Sequence, residues 1–351
     1  MKWVKKRFFY LSKRTILALS MPNKLIMNNM RKIRLKTPSR IHCCLINESG
    51  YHNRIDGGFG FSISDPYWEV EITRNTQNAF RGPLDEDFRN LGTELINVID
   101  KLYGTGCYEV NITKKVDPHI GLGSKTGFLM TILSGIQKLN DLELDLKEVS
   151  TLIKRGGTSG IGIHTFKTGG FTIDVGRKFP LEKSHFSPSR HSSATPPKAL
   201  LNINLHGWKI ILFCIEGKTI HGDNEMNIFK KHCPVPDNET AAIGNITFFR
   251  ILPSLLELDN KELNRGLIEI QDLGFKKIEW QYQNLATKKF RRLWAERFPD
   301  IALGLSSFGP TTYCVVPNEM SELIITEVKK YIGLNLTIIE TTIDNDGSTI
   351  I

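Results

Sequence analysis

Four segments of this chain have residue types and spacings that suit chemistry on an anionic substrate. The first, Pro118 to Thr126 (PHIGLGSKT), leads from a glycine-rich turn into an apolar helical pattern. Glycines let a backbone approach an anion, and the free N–H groups and dipole at a helix start favour negative charge. Gly121, Leu122, Gly123, Ser124 and Thr126 would line such a cradle, and Lys125 adds a point charge to it. The expected ligand is a phosphate or pyrophosphate; the competing reading is a turn used only for tight packing. The second segment, Arg155 to His164 (RGGTSGIGIH), crowds glycines and hydroxyls, with Gly157, Thr158, Ser159 and Gly160 at its centre. Ordering so many glycines is costly unless the backbone must make a special turn, so this too reads as a substrate or anion loop. The third is Gly304 to Thr312 (GLSSFGPTT), with Ser306, Ser307 and Gly309, and the fourth is Arg54 to Gly60 (RIDGGFG), preceded by Thr37-Pro38-Ser39-Arg40-Ile41-His42.

The elements that must hold these segments can be read from periodicity. Apolar and β-branched runs predict strands near 33–36, 41–46, 59–64, 68–73 and 107–113. Leu129, Ile132, Leu133, Ile136 and Leu139 then fall at helical spacing over 126–139, directly after the first glycine turn, and a further helix is expected over 145–154. RGGTSGIG is followed by a strand-like GGFTIDV. Residues 184–198, with Pro188, Pro196 and Pro197, show no periodicity and read as a long loop or linker, either a lid carrying His185, Arg190 and His191 or a plain connector. A strand at 208–215 and helices near 239–257, 261–272, 285–297 and 319–332 complete the second half. Strand-rich followed by helical, twice over, predicts an α+β protein of two lobes, 33–183 and 199–343, with 344–351 as a frayed tail.

Composition limits the classes of function. Forty per cent hydrophobic and 24% charged residues describe an ordinary globular chain of 351 residues, and no apolar run approaches the ~18 residues of a membrane span. The formal charge of +9 invites a nucleic-acid reading, but residues 1–36 hold 11 of the 46 Lys and Arg and no acid, leaving 35 basic against 37 acidic side chains in the remainder. The body of the protein is therefore not a polyanion binder. The basic leader 1–32 is expected to be a disordered tail or a mis-assigned start, with Met21, Met27 and Met30 as later starts, or else a polybasic segment touching membrane or RNA. Six cysteines, Cys43, Cys44, Cys107, Cys214, Cys233 and Cys314, form no C-x-x-C pair, which argues against a metal cluster and for a reducing cytoplasm.

Taken in order, the four segments resemble the galactokinase, homoserine kinase, mevalonate kinase and phosphomevalonate kinase (GHMP) superfamily. Within it they resemble the archaeal β-ribofuranosylaminobenzene 5′-phosphate synthases of methanopterin biosynthesis, over about residues 33–340. The resemblance rests on Arg54 to Gly60, on Arg155 to His164 with Gly169-Gly170-Phe171, and on Ser306 to Thr311. It implies a ribosomal protein S5 domain 2-like N-terminal lobe and a ferredoxin-like α+β C-terminal lobe. It also implies a homodimer, Mg2+, and a reaction joining phosphoribosyl pyrophosphate to 4-hydroxybenzoate or 4-aminobenzoate with release of pyrophosphate and CO2. Two departures from the kinase pattern favour this branch over an ATP-dependent small-molecule kinase. Gly162 stands where the kinases carry a catalytic Asp, and glycine can neither accept a proton nor orient a hydroxyl. Lys125 replaces the second Ser of the phosphate loop.

Under that resemblance Lys125 stabilises the departing pyrophosphate, and Asp56 and Asp174 are candidates for the carboxylate beside an oxocarbenium-like ribose. Arg40, Arg54 and Arg155 are candidates for the aromatic carboxylate. Ser124 or Asp174 is the expected metal contact. Each has a plainer alternative: a surface ion pair for Arg40, a hydrogen-bonded core role instead of acid/base or stacking chemistry for His164, a turn cap for Asp174.

Overall fold

The computed structural model describes residues 31–188, 195–215, 223–331 and 336–351. The leader as far as residue 30, and Arg190 and His191 of the expected lid, lie outside the described residues.

The first sheet is built on two long antiparallel strands, β1 (Lys32–Asn47) and β2 (Arg54–Asn75). Each joins two runs that periodicity separates. Pro38 and the Asp65-Pro66 pair read as breaks in sequence, yet both sit at an irregularity of the β1–β2 register, where an unpaired residue removes the need for a ladder N–H. The outer half of β2 pairs with β4 (Cys107–Lys114), which is bordered by β3 (Ala79–Arg81). Its inner half pairs with β5 (Phe171–Asp174), and residues 54–55 pair with β6 (Arg177–Lys178). Helices α1 (Glu86–Tyr103) and α2 (Ser124–Asn140) cover this sheet through Phe88, Leu95, Ile99, Phe128, Ile132 and Ile136. Both end at a residue in the left-handed region, Gly104 and Asp141. Helices α3 (Leu146–Ile153) and α4 (Ile161–Thr168) flank the RGGTSG turn.

The strand β7 (Ala199–Ile203) pairs with β5, so residues 199–203 belong to the first sheet rather than to the second lobe. Nor is 344–351 frayed. The strand β12 (Thr349–Ile350) pairs with β1, and Asn345 exchanges two 3.0 Å hydrogen bonds with the backbone of Leu205. This tail is polar, and periodicity has nothing to register in it.

The second sheet orders β11 (Leu336–Thr342), β8 (Trp208–Ile215), β10 (Thr312–Pro317) and β9 (Gly304–Leu305). The continuous apolar run of β8 follows from burial on both faces. Ile210 and Leu212 join the core that extends into the first lobe, while Ile211 and Phe213 join a second core with Trp280, Phe290 and Trp294. Around this sheet lie α5 (Asp223–His232), then α6 (Asp237–Ile246) continued by a π-helical turn over 247–251 into α7 (Leu252–Glu257). After them come α8 (Asn260–Ile270), α9 (Gly274–Gln281), α10 (Leu285–Arg297) and α11 (Ser321–Tyr331). A third apolar cluster, with Leu45, Phe229, Phe275 and Phe308, lies where the lobes meet.

Candidate active site

The first and third segments are built into each other. Ser306 Oγ donates to the Gly121 carbonyl at 2.8 Å and accepts from the His42 N–H at 3.2 Å, while the Ser307 N–H donates to the His42 carbonyl at 3.0 Å. Gly121 adopts φ +88° and a Cβ there would lie 2.3 Å from the Ser306 carbonyl oxygen, so no other residue fits. Ser306 is fully buried by these contacts and is a clamp between the lobes, not a substrate group. Gly309 also serves the turn: a Cβ on it would meet Leu305 and Gln283. Ser307 faces a cleft of about 800 Å³ between the lobes.

Lys125, Thr126, Arg40, Arg155, Thr158, Ser159 and Ser307 all line that cleft, together with His119. Gly121, Leu122, Gly123 and Ser124 form the turn behind Lys125. Arg40 reaches along it, donating from Nη1 to the Gly121 carbonyl at 2.5 Å, with its own N–H on the Leu122 carbonyl at 3.2 Å. Burial pulls the Arg40 guanidinium down to about 10, still charged at neutral pH. Gly162 sits at the cleft in the first turn of α4. A Cβ there would lie 4.0 Å from Arg40 Nε and in ordinary contact with Thr126, so the position where the kinases carry an acid is open and faces a cation.

Other sequence candidates lie away from the cleft. Arg54 turns its guanidinium to the carbonyls of Val175 and Gly176. His164 Nε2 is 2.7 Å from the Pro197 carbonyl, and burial lowers its pKa, which is the core role. Asp174 accepts from the Gly160 N–H at 2.9 Å and the Gly176 N–H at 3.0 Å and is buried. It is a turn cap whose carboxyl burial pushes up to about 7. Asp56, in the left-handed region at φ +64°, is fully enclosed and holds Arg177 and Lys183, the latter at 2.8 Å. Arg177 in turn donates to the carbonyls of Gly156 and Thr158, and Lys183 to the Ser187 carbonyl at 3.0 Å. This knot supports the RGGTSG turn from beneath, with Gly157 buried inside the turn. A carboxylate so committed does not face a ribose in the cleft.

Sequence reading missed the opposite wall. Helix α9 contributes Phe275 and Glu279, and α5 contributes Glu225 and Phe229. Phe275 stacks near Phe229 with centroids 4.2 Å apart and meets Phe308 edge-on at 5.8 Å. Glu279 pairs with the buried Lys276, whose Nζ also donates to the Leu305 carbonyl at 2.9 Å. Burial and the neighbouring Glu279 push Glu225 up to about 7. His42 lines the cleft as well. Neither α5 nor α9 is announced by a motif; the only available signal is the pairing of Phe with Glu at helical spacing (Phe275 and Glu279, Glu225 and Phe229). Lys125, Arg40 and Arg155 thus share the cleft with the acids Glu225 and Glu279 and with the phenylalanines beside them, and both acids lie within electrostatic reach of Arg40.

Neither expected metal contact is placed to hold Mg2+: Asp174 spends its oxygens on backbone N–H groups, and Ser124 is buried behind the turn.

No protein-family model matches the chain. It is 33% identical over 288 residues to the β-ribofuranosylphenol 5′-phosphate synthase of Archaeoglobus fulgidus, covering 81% of this chain and 87% of that protein. It is also 33% identical over 292 residues to the protein of the same name from Methanocaldococcus jannaschii, covering 80% and 88%. Among solved structures, a homoserine kinase from Cytophaga hutchinsonii superimposes with a TM-score of 0.64 at 15% identity, covering 94% of this chain and 100% of that one. Mevalonate-3-kinase from Thermoplasma acidophilum gives 0.59 at 14% identity, covering 92% and 98%. The structural likeness establishes the fold, α+β of the GHMP-kinase type, and at a third identity over four fifths of its length the chain belongs to the β-ribofuranosylphenol 5′-phosphate synthase family.

Proposed function

We propose that the cleft joins phosphoribosyl pyrophosphate to 4-hydroxybenzoate, forming a C–C bond between ribose and ring and releasing pyrophosphate and CO2, as a step of methanopterin biosynthesis. The observation that supports this most is the presence, in one cavity, of three cations (Lys125 on the phosphate turn, Arg40 on β1 and Arg155 at the RGGTSG turn) and three phenylalanines (Phe229, Phe275, Phe308). A pyrophosphate leaving group develops charge that Lys125 and the N–H groups at the start of α2 can stabilise without reorganisation. A flat, apolar acceptor ring matches the aromatic wall, and its carboxylate matches Arg40 or Arg155. Mg2+ belongs in this reading to the pyrophosphate substrate rather than to a protein site.

The test is incubation of the protein and Mg2+ with phosphoribosyl pyrophosphate and carboxyl-labelled 4-hydroxybenzoate. Labelled CO2 and a riboside phosphate are expected, with 4-aminobenzoate run alongside to rank the two acceptors. No labelled CO2, together with ADP formation from ATP and an alcohol, overturns the assignment in favour of a kinase. Family membership extends the reading to a cytoplasmic homodimer. Among the described residues no helix is long and apolar enough to cross a membrane. A molar mass near that of a single 39.8 kDa chain by light scattering would refute the dimer.

A further inference from the structure

Helix α5 brings Glu225 and Phe229 to the cleft from one face, one turn apart. Because Phe229 stacks near Phe275, and Phe275 meets Phe308 edge-on, the Glu225 carboxyl stands beside the aromatic wall. The charges of Glu279 on α9, Arg155 at the RGGTSG turn and Arg40 on β1 act on it through space, without a hydrogen bond to any of them. The other acids of the cleft are differently placed. Glu279 is fully buried against Lys276, while Asp87 and Glu94 belong to α1, and Glu94 is held by Lys154 at 2.8 Å. Among the described residues, Glu225 is thus the acid of the phenylalanine wall that no structural contact occupies. Burial and Glu279 raise its affinity for a proton, Arg155 and Arg40 lower it, and the balance stands at about 7. A carboxyl in a cleft with that balance gives and takes a proton readily at neutral pH.

We propose that Glu225 is a catalytic residue, the general base that takes the proton of the acceptor's ring hydroxyl while the C–C bond forms and returns it as CO2 leaves. This rests on the reaction proposed above. The acceptor matches the wall in each part: a carboxylate for an arginine, a flat ring for the phenylalanines, and a hydroxyl whose lone pair drives attack by the ring once its proton is removed. As the O–H bond breaks to the Glu225 carboxylate, the oxygen lone pair moves into the ring, and the ring carbon bearing the acceptor carboxylate bonds to the anomeric carbon. The bond from the anomeric carbon to pyrophosphate breaks, and pyrophosphate departs with the electron pair. The bond to the acceptor carboxylate then breaks, CO2 leaves, its electron pair restores the aromatic ring, and the oxygen recovers its proton from Glu225. No proton or electron is gained or lost by the protein overall.

The experiment compares wild type with Glu225→Gln at pH 8 on two acceptors, 4-hydroxybenzoate and 3,5-difluoro-4-hydroxybenzoate, whose more acidic hydroxyl is largely ionised at that pH. On 4-hydroxybenzoate the variant is expected to lose about 10²-fold or more in kcat, the usual contribution of general acid–base catalysis, with the KM for phosphoribosyl pyrophosphate little changed. On the difluoro acceptor, which has little proton to give up, the ratio of wild type to variant should fall to within about 10-fold. An equal deficit on both acceptors, or no deficit on 4-hydroxybenzoate, overturns the role of Glu225. Should Glu225→Gln fail to fold by circular dichroism, Glu225→Ala takes its place in the same comparison. Absence of product from wild type on 4-hydroxybenzoate refutes the reaction itself and the role of Glu225 with it, whereas an unchanged ratio refutes that role alone.

Discussion

Asp56 gives the sharpest test of how the cleft is supported. Its carboxylate is fully buried against Arg177 and Lys183, themselves nearly inaccessible, and those two cations hold the carbonyls of Gly156, Thr158 and Ser187. Asp56→Asn is the suitable substitution because asparagine also tolerates the φ of +64° found here, so backbone strain does not confuse the result. Removing one partner of a buried ion pair costs about 3–5 kcal/mol. Part of that is offset by Glu48, another buried carboxyl whose pKa is pushed well above the usual carboxylate range by burial and by the charge of Asp56. Once Asp56 is neutral, Glu48 ionises more readily toward the same two cations. The lower end, about 3 kcal/mol, is therefore expected, equivalent to a fall in Tm of roughly 6–12 °C at 2–4 °C per kcal/mol. Urea denaturation at neutral pH measures it, and Asp56→Asn with Glu48→Gln should cost more than the two changes added separately. At low temperature, kcat per folded molecule should fall by less than about 10-fold, because the carboxylate touches no substrate. Stability within about 0.5 kcal/mol of wild type combined with a loss of more than about 100-fold in kcat would refute this reasoning and return Asp56 to the reacting centre.

Three further outcomes are expected. Lys125→Ala should raise the KM for phosphoribosyl pyrophosphate or lower kcat by about 10²-fold at unchanged Tm, read by steady-state kinetics and thermal unfolding; wild-type kinetics would remove it from the site. Gly162→Asp should fold, since its Cβ meets only Thr126 and Arg40 at ordinary distances and an acid suits the first turn of α4, but it should weaken benzoate binding by about 10-fold by occupying Arg40. An unchanged KM for the acceptor would show that Arg40 does not hold its carboxylate. Asp174 gains its proton more readily folded than unfolded, so its protonation stabilises the fold fully below about pH 4 and progressively less as pH rises through about 7. Urea titrations at pH 5 and pH 8 should therefore show Asp174→Asn closer to wild type at pH 8, and a constant gap would contradict the assignment.

What the sequence made legible follows the physics of each signal. Turns that require glycine are visible locally, so the phosphate turn, the RGGTSG turn and the SSFGPT turn stand out, and α2 follows from its apolar period. Pairings across long separations leave no local mark. Nothing near Asp56 announces that its charge is met by residues 177 and 183, and so a buried structural carboxylate reads as a reactive one. Ser306 is misleading for the same reason, since its partners are Gly121 and His42. The helix α4 is hidden because Gly160 and Gly162 lower its local propensity, while packing against β1, β2 and β5 supplies what propensity lacks. Glu225 and Glu279 belong to polar helices without turn signals at the cleft.

The pairing of β12 with β1 also bears on how the protein is made. Leu35 aligns with Ile350, a partner synthesised 315 residues later, and Ile63 bridges Ile343. During translation, therefore, the strand that carries Arg40 and His42 keeps an unpaired edge until almost the whole described chain has emerged. Such an edge is open to pairing with a neighbouring nascent chain, and contacts this distant form slowly. Maturation of the cleft is accordingly a late event in biosynthesis, coupled to the arrival of a two-residue strand far from any substrate.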